Sequence, residues 1–399
     1  MCGKPPPHGC LGRREERPLL PPDPFRIMTL QLQPYGAVSC YAILDSNGAE
    51  MLDNLDFIAQ IDTDNGLAIL AGQAHQLAEV FETDTSSLNN IQNIVVAGMG
   101  GSVLAAEFLL NWKGSELSIP LSVSRGYVLP GYVNEASLVV ISSYSGNTEE
   151  TLSCLADAIA KNAQIVIMTS GGQLLEIAMA NQMVHYVIPG GLQPRHALLY
   201  QVKALATLLE SINLLNGFIS ELESAGEWAN GQIASWIRDV PTAENPAKQL
   251  AGTLFGKIGI FYAGPTLEFI ARNWKIALNE NAKNLAFSYA LPEFDHNEFQ
   301  GWAHPKDTPV AVVEVQSSLD DEAIAKRFSI SNRLLSGSMP APVIVKAQGD
   351  SQLKQLVWCV LFGGMVSGYL AILNGENPLP VAKVEKLKAE LAKETHGTN

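Results

Sequence analysis

The sequence predicts an α/β fold made of two parallel-sheet halves in tandem. Three observations carry this: short β-rich runs alternate with helical stretches, the alternation breaks near residue 240 and then resumes, and the chain is long enough for two cores. With 47% hydrophobic and 17% charged residues among 399, a disordered, collagen-like or coiled-coil chain is excluded.

The first fifty residues hold Pro-rich stretches, Lys4 to Pro7 and Leu19 to Pro24, and no apolar core of a signal peptide. They are expected to be a weakly ordered extension, with Met28 and Met51 as alternative starts. From Met51 a helix leads into runs at Asn93 to Ala97, Leu117 to Ser122, Ser137 to Ser142, Gln164 to Thr169 and His185 to Ile188. Helical patterns follow them at Val103 to Leu110, Thr148 to Lys161, Gln173 to Asn181 and His196 to Leu209. Strands alternating with helices imply a parallel sheet covered on both faces.

A polar helical connector, Asn216 to Asp239, and the prolines Pro241 and Pro246 then intervene. New apolar runs appear at Ile258 to Ala263, Val310 to Val315 and Pro342 to Ala347. The expected domains are therefore residues 51–240 and 241–399, with ligands at strand C-terminal ends or between the halves. Gln355 to Leu373 runs nineteen residues without a charge, but Gln355, Ser367 and the Gly363-Gly364 pair interrupt it. It reads as a helix buried in the core or at a subunit interface rather than a membrane span.

Lys plus Arg total 26 against 40 Asp plus Glu, a formal charge of −14, and no local basic stripe is present. Nucleic-acid binding is thereby disfavoured, and an anionic substrate must be held by a few placed cations and backbone N–H groups. Five scattered cysteines, Cys2, Cys10, Cys40, Cys154 and Cys359, show no Cys-x-x-Cys spacing. That argues against a disulfide scaffold or structural zinc and for a reducing cytoplasm.

Two loops stand out. Gly98-Met99-Gly100-Gly101-Ser102 joins an apolar strand to a helix, where exposed N–H groups favour an anion. It lacks the third glycine of a dinucleotide fingerprint and the Gly-Lys-Ser/Thr of a nucleotide-hydrolase loop. Ser142-Ser143-Tyr144-Ser145-Gly146-Asn147-Thr148 ends a buried strand and opens a helix. One hydroxyl suffices for capping, so the clustering of Ser143, Ser145 and Thr148 points to phosphate.

Gly-Met-Gly-Gly-Ser followed by Ser-Tyr-Ser-Gly-Asn-Thr-Glu-Glu-Thr resembles the sugar-isomerase (SIS) domain, a flavodoxin-like parallel sheet that binds phosphosugars. Asn279-Glu280-Asn281-Ala282-Lys283, Pro292-Glu293-Phe294-Asp295-His296-Asn297-Glu298, Gly301-Trp302, Gln193-Pro194-Arg195 and the closing Asn377-Pro378 to Leu391 narrow the resemblance to the bifunctional phosphoglucose/phosphomannose isomerase family, from about Met51 to the C-terminus. It implies two SIS domains in tandem and reversible conversion of glucose 6-phosphate, and of mannose 6-phosphate, to fructose 6-phosphate.

Such an isomerisation opens the sugar ring, removes a proton beside the carbonyl, holds the enediolate and returns the proton to the neighbouring carbon. The resemblance assigns the proton transfer to Glu280, sixteen residues before His296. It assigns ring opening to His296 and Lys388, with His296 reaching over from a second subunit, and the enediolate to Arg195. Gly100, Gly101, Ser102, Ser143, Ser145 and Thr148 would bind the phosphorylated hexose. Neither metal nor nucleotide cofactor is implied, and a homodimer with a shared active site is. Residue types alone allow plainer readings: Glu280 pairs with Lys283 on a solvated helix face, Arg195 is a loop arginine, and Lys388 sits among Lys383, Lys386 and Lys393 on an ordinary amphipathic helix. His196 stands where the family would have a small residue, and no Ser or Thr falls in Glu376 to Ala382 to play the threonine associated with mannose specificity.

Two other functions remain open. A glutamine-dependent sugar amidotransferase begins Met-Cys-Gly, as Met1-Cys2-Gly3 does, but Lys4-Pro5-Pro6-Pro7 follows instead of a glutaminase domain. A sugar-phosphate sensing module would bind through the same loops without turnover; sensors commonly add a helix-turn-helix, absent here.

Overall fold

The computed structural model describes residues 38–39 and 46–395. Most of the expected extension, with Cys2, Cys10, Cys40 and Met28, lies outside them; within residues 1–50 only strand β1 (Val38–Ser39) and the start of helix α1 (Ser46–Asp53) are described. Helices α2 (Leu55–Ile61) and α3 (Gly66–Ala71) come next.

The first sheet contains β2 (Asn93–Ala97), β3 (Leu121–Ser124), β4 (Ser137–Ser142), β5 (Gln164–Thr169) and β6 (Val184–Val187), in the order β3-β2-β4-β5-β6 and parallel throughout. Central β4 is buried along its whole length, which is why its sequence, SLVVIS, is a nearly continuous apolar run. The run expected from Leu117 enters the ladder only at Leu121, because Pro120 has no N–H to give it. Helices α4 (Leu104–Lys113), α5 (Glu149–Ala160), α6 (Gly172–Ala180) and α7 (Leu198–Ser211) follow its strands.

The expected polar connector is helix α8 (Phe218–Ile233), and it is amphipathic: Phe218, Leu222, Ala225, Ala229 and Ile233 form a buried stripe at helical spacing. After α9 (Pro246–Leu254), whose first turn is capped by Asn245, the second sheet begins. It holds β7 (Ile258–Ala263), β8 (Ala286–Ala290), β9 (Val310–Gln316) and β10 (Val343–Lys346), in the order β1-β10-β9-β7-β8. Its four long strands are parallel, and β1 closes one edge antiparallel. Helix α10 (Glu268–Glu280) leads from β7 towards β8, the one-turn α11 (Glu298–Gly301) follows β8, and α12 (Glu322–Leu334) follows β9.

Helix α13 (Gln352–Leu373) is the common wall. It packs against α3, α8, α9 and α10, and every residue from Gln355 to Leu373 is buried. Each Leu, Val or Phe so removed from water contributes about 2 kcal/mol. Its polar interruptions are satisfied: Gln355 donates to Gly349 O and Ser318 Oγ and accepts from Ser317 Oγ, and Ser367 Oγ donates to Gly364 O. Among the described residues it is the one helix long and apolar enough to cross a membrane, and it lies wholly inside the protein. The final helix, α14 (Ala382–Thr395), is exposed where its side chains are described, with Val384 and Leu387 open to solvent.

Candidate active site

The two loops of the first half are stitched to each other. Ser142 Oγ donates to the Ser102 carbonyl at 2.6 Å, and the Tyr144 N–H donates to Ser102 Oγ at 3.0 Å. Ser143 Oγ donates to Thr148 Oγ1 at 2.9 Å, so Thr148 accepts a neighbour's proton and keeps its own O–H for another partner. Thr148 is the N-cap of α5, yet its side chain caps nothing. The start of this twelve-residue helix is thus left without a side-chain cap, and such a helix end, next in sequence to the Thr148 and Ser145 hydroxyls, favours an anion. Ser102 and Ser143 are buried and Ser145 is exposed, so the hydroxyl cluster runs from the interior to solvent.

Gly101 joins this cluster to Arg195. Only a residue without a side chain fits there, since an added β-carbon would stand 2.9 Å from the Arg195 nitrogen. Arg195 itself sits in a single turn, Pro194–Ala197, started by Pro194 after extended Gln193. Its guanidinium is buried and spends four contacts on the second half. Nε donates to Asn281 Oδ1 at 2.6 Å, Nη1 to Glu280 Oε2 at 3.1 Å, and Nη2 to the carbonyls of Pro378 and Leu379 at 3.0 and 2.9 Å. Burial pushes its pKa down and Glu280 counteracts this, while a guanidinium stays charged throughout the physiological range.

Glu280 ends α10, where a cation is favoured by the helix dipole, and Arg195 supplies it. The Glu280 side chain remains one-third exposed. It therefore combines an ion pair on one oxygen with an open approach, as a proton-transferring carboxylate needs. Glu280 is not paired with Lys283. The Lys283 ammonium instead donates to the carbonyls of Asn281 and Asn377, holding the 377–379 segment whose carbonyls meet Arg195. Burial and then the nearby Arg195 charge push Lys283 down to about 8. Asn281 and Lys283 are thus members of the site that the motif quoted but to which no role was given; both lie in Asn-Glu-Asn-Ala-Lys.

His196 fills the position expected to be small. It is buried, its Nε2 lies 3.0 Å from Asn281 Oδ1, and its pKa is pushed down to about 3, by burial first and by Arg195 next.

Among the described residues no hydrogen bond or ion pair joins His296 or Lys388 to Arg195, Glu280 or the hydroxyl loops. His296 is exposed in the turn Glu293–His296. Its neighbour Asp295 is held by Arg327 at 2.7 Å and Ser331 at 3.0 Å, both on α12. Lys388 is exposed on α14.

Residues 243–391 match a family model described as the bacterial phospho-glucose isomerase C-terminal SIS domain. The chain is 36% identical over 306 residues to a bifunctional phosphoglucose/phosphomannose isomerase of Caldicellulosiruptor bescii, covering 76% of this chain and 90% of that one. It is 32% identical over 315 residues to the protein of the same description from Aquifex aeolicus, covering 78% and 94%. A glucose-6-phosphate isomerase like protein from Thermus thermophilus has a similar fold, with a TM-score of 0.56 at 19% identity over 84% of this chain and 98% of that one. The α/β fold of paired parallel sheets is the SIS fold expected from the two loop motifs, and with relatives this similar over most of its length the chain belongs to the bifunctional phosphoglucose/phosphomannose isomerase family of sugar-phosphate isomerases.

Proposed function

We propose that the protein interconverts glucose 6-phosphate and fructose 6-phosphate, and mannose 6-phosphate and fructose 6-phosphate, through ring opening and a cis-enediolate. The observation that carries this reading is the continuous line from the hydroxyl loops through Gly101 and Arg195 to Glu280. The phosphate is taken by Ser102, Ser143, Ser145, Thr148, Gly100 and Gly101, the first half (51–240) acting as the phosphate-binding domain. The second half (241–399) supplies the chemistry.

Glu280 removes the proton next to the carbonyl and returns it to the neighbouring carbon, using the oxygen not paired with Arg195. Arg195 holds the developing enediolate charge from a buried position where a fixed cation is worth most. His296 and Lys388 exchange the proton of the ring oxygen. The exposure of His296 supports a homodimer in which this histidine reaches the active site of the second subunit, in keeping with the exposed apolar Val384 and Leu387 on α14. The described cysteines, Cys154 and Cys359, are free, which suits a cytoplasmic enzyme.

The deciding experiment is a coupled assay of purified protein in EDTA on fructose, glucose and mannose 6-phosphates. Turnover of all three is the expected result. Binding of fructose 6-phosphate without conversion would favour a sensing module, and release of ammonia from glutamine would favour an amidotransferase.

A further inference from the structure

Behind the Arg195–Glu280 pair runs a hydrogen-bond chain whose direction is fixed at both ends. The Gly364 carbonyl can only accept, so Ser367 Oγ spends its proton there and accepts from Asn281 Nδ2 at 2.9 Å. Asn281 therefore turns Oδ1 the other way, where Arg195 Nε, a donor only, meets it at 2.6 Å. The same Oδ1 is 3.0 Å from His196 Nε2. A carbonyl oxygen cannot donate, so Nε2 must carry the proton.

The other ring nitrogen of His196 is buried and has no hydrogen-bond partner. With no group there to accept a proton, Nδ1 is the ring nitrogen left bare. His196 also lines a cavity of about 20 Å³, together with Gln73, Asn273 and Asn281. The charged groups that face the imidazole are Arg195 and Lys283, both cations, so both oppose a second proton. Gln73 and Gln76 grip the His196 carbonyl at 3.0 and 2.6 Å, fixing where the ring starts.

We propose that His196 is a positioning residue acting through Asn281: a neutral imidazole protonated on Nε2 shares Asn281 Oδ1 with Arg195 and so holds the guanidinium at the angle that aims Nη1 at Glu280. A protonated ring would put a second cation against Arg195, and a ring protonated on Nδ1 would face lone pair to lone pair across Oδ1. The catalytic part of this inference rests on the isomerase reading; the tautomer does not.

The test begins with nitrogen NMR of the wild-type protein labelled at histidine. The His196 signals are expected to show a pyrrole-type Nε2 and a pyridine-type Nδ1, unchanged from pH 8 to pH 5. An Nδ1–H tautomer, or titration within that range, overturns the proposal, and neither result depends on activity. Kinetics supply the second arm. His196→Phe is expected to lower kcat about tenfold with KM little changed, the size of losing one hydrogen bond to a charged network. His196→Gln, whose amide nitrogen can donate to Asn281 Oδ1, is expected to recover most of the loss. Equal losses in the two variants overturn the positioning role. A wild-type protein that turns over no hexose phosphate overturns the isomerase reading and leaves the NMR arm standing.

Discussion

The backbone of Gly101 lies against that of Arg195, close enough that a β-carbon on the glycine would come within 2.9 Å of the arginine nitrogen. The neighbours it would strike are backbone atoms of Pro194 and Arg195, which cannot rotate away. Gly101→Ala should therefore push the Arg195 turn outward and loosen Nη1 from Glu280. A displacement near 1 Å is expected to lower kcat about a hundredfold, with about 1–3 kcal/mol lost in stability. Steady-state kinetics and a melting curve check this; unchanged kcat in a folded variant contradicts it.

Glu280→Gln keeps the shape and removes the base. Turnover should fall about a thousandfold, within the range for a lost general base, while fructose 6-phosphate binding persists in calorimetry. The same change leaves the Arg195 charge buried without its partner, so the melting temperature should drop as well. A variant within tenfold of wild type ends Glu280's candidacy as the base.

Arg195→Lys retains charge but replaces a fork making four contacts with a single ammonium. A loss of about a hundredfold in kcat is expected, the size seen on removing one transition-state donor. Equal activity of the two proteins would show that charge alone suffices.

Thr148→Val keeps the size of the side chain and removes both the acceptor for Ser143 and the free O–H at the start of α5. KM for fructose 6-phosphate should rise about tenfold, as for loss of one hydrogen bond to an anion. Inhibition by inorganic phosphate should weaken in parallel. A rise in KM without weaker phosphate inhibition would place the effect on the sugar rather than on its phosphate.

Glu314, buried on β9 with Gln316 and Asn332 donating to one oxygen, has its carboxyl raised to about 7, chiefly by burial. Because the folded state holds this proton more tightly than the unfolded state, the associated stability is present below about pH 4.5 and fades as pH rises through about 7. Urea unfolding at pH 5 and pH 8 should thus show a decline in the wild type that Glu314→Gln lacks, a difference of at most about 3 kcal/mol. Parallel pH dependence in both proteins would remove Glu314 as the cause.

The first sheet was legible because its strands are buried on both faces and read as apolar runs; β4 is the clearest case. Strand β8 was not expected, because as a sheet edge it buries only Ala286 fully, leaving Phe287 exposed and no pattern to find. Antiparallel β1 is two residues long and carries no periodicity at all. At the site, Glu280 and Arg195 were visible as motif residues, but their pairing was not: 85 residues separate them, and the plain alternative of Glu280 with Lys283 was nearer in sequence. Lys283 is drawn off by the carbonyls of Asn281 and Asn377, which only the fold brings together.

Helix α13 has a consequence for how the molecule is made. The main strands of both sheets precede residues 352–373 in the chain, so during synthesis the two halves emerge before the wedge between them exists. Until it arrives, Trp274 lacks the Cys359 carbonyl to which its indole donates at 2.8 Å, and the inner faces of α3, α8, α9 and α10 lack their cover. A ribosome stalled before this helix would thus present sticky, half-finished protein to the cell's chaperones. A helix translated after both sheets decides whether they can stay in solution.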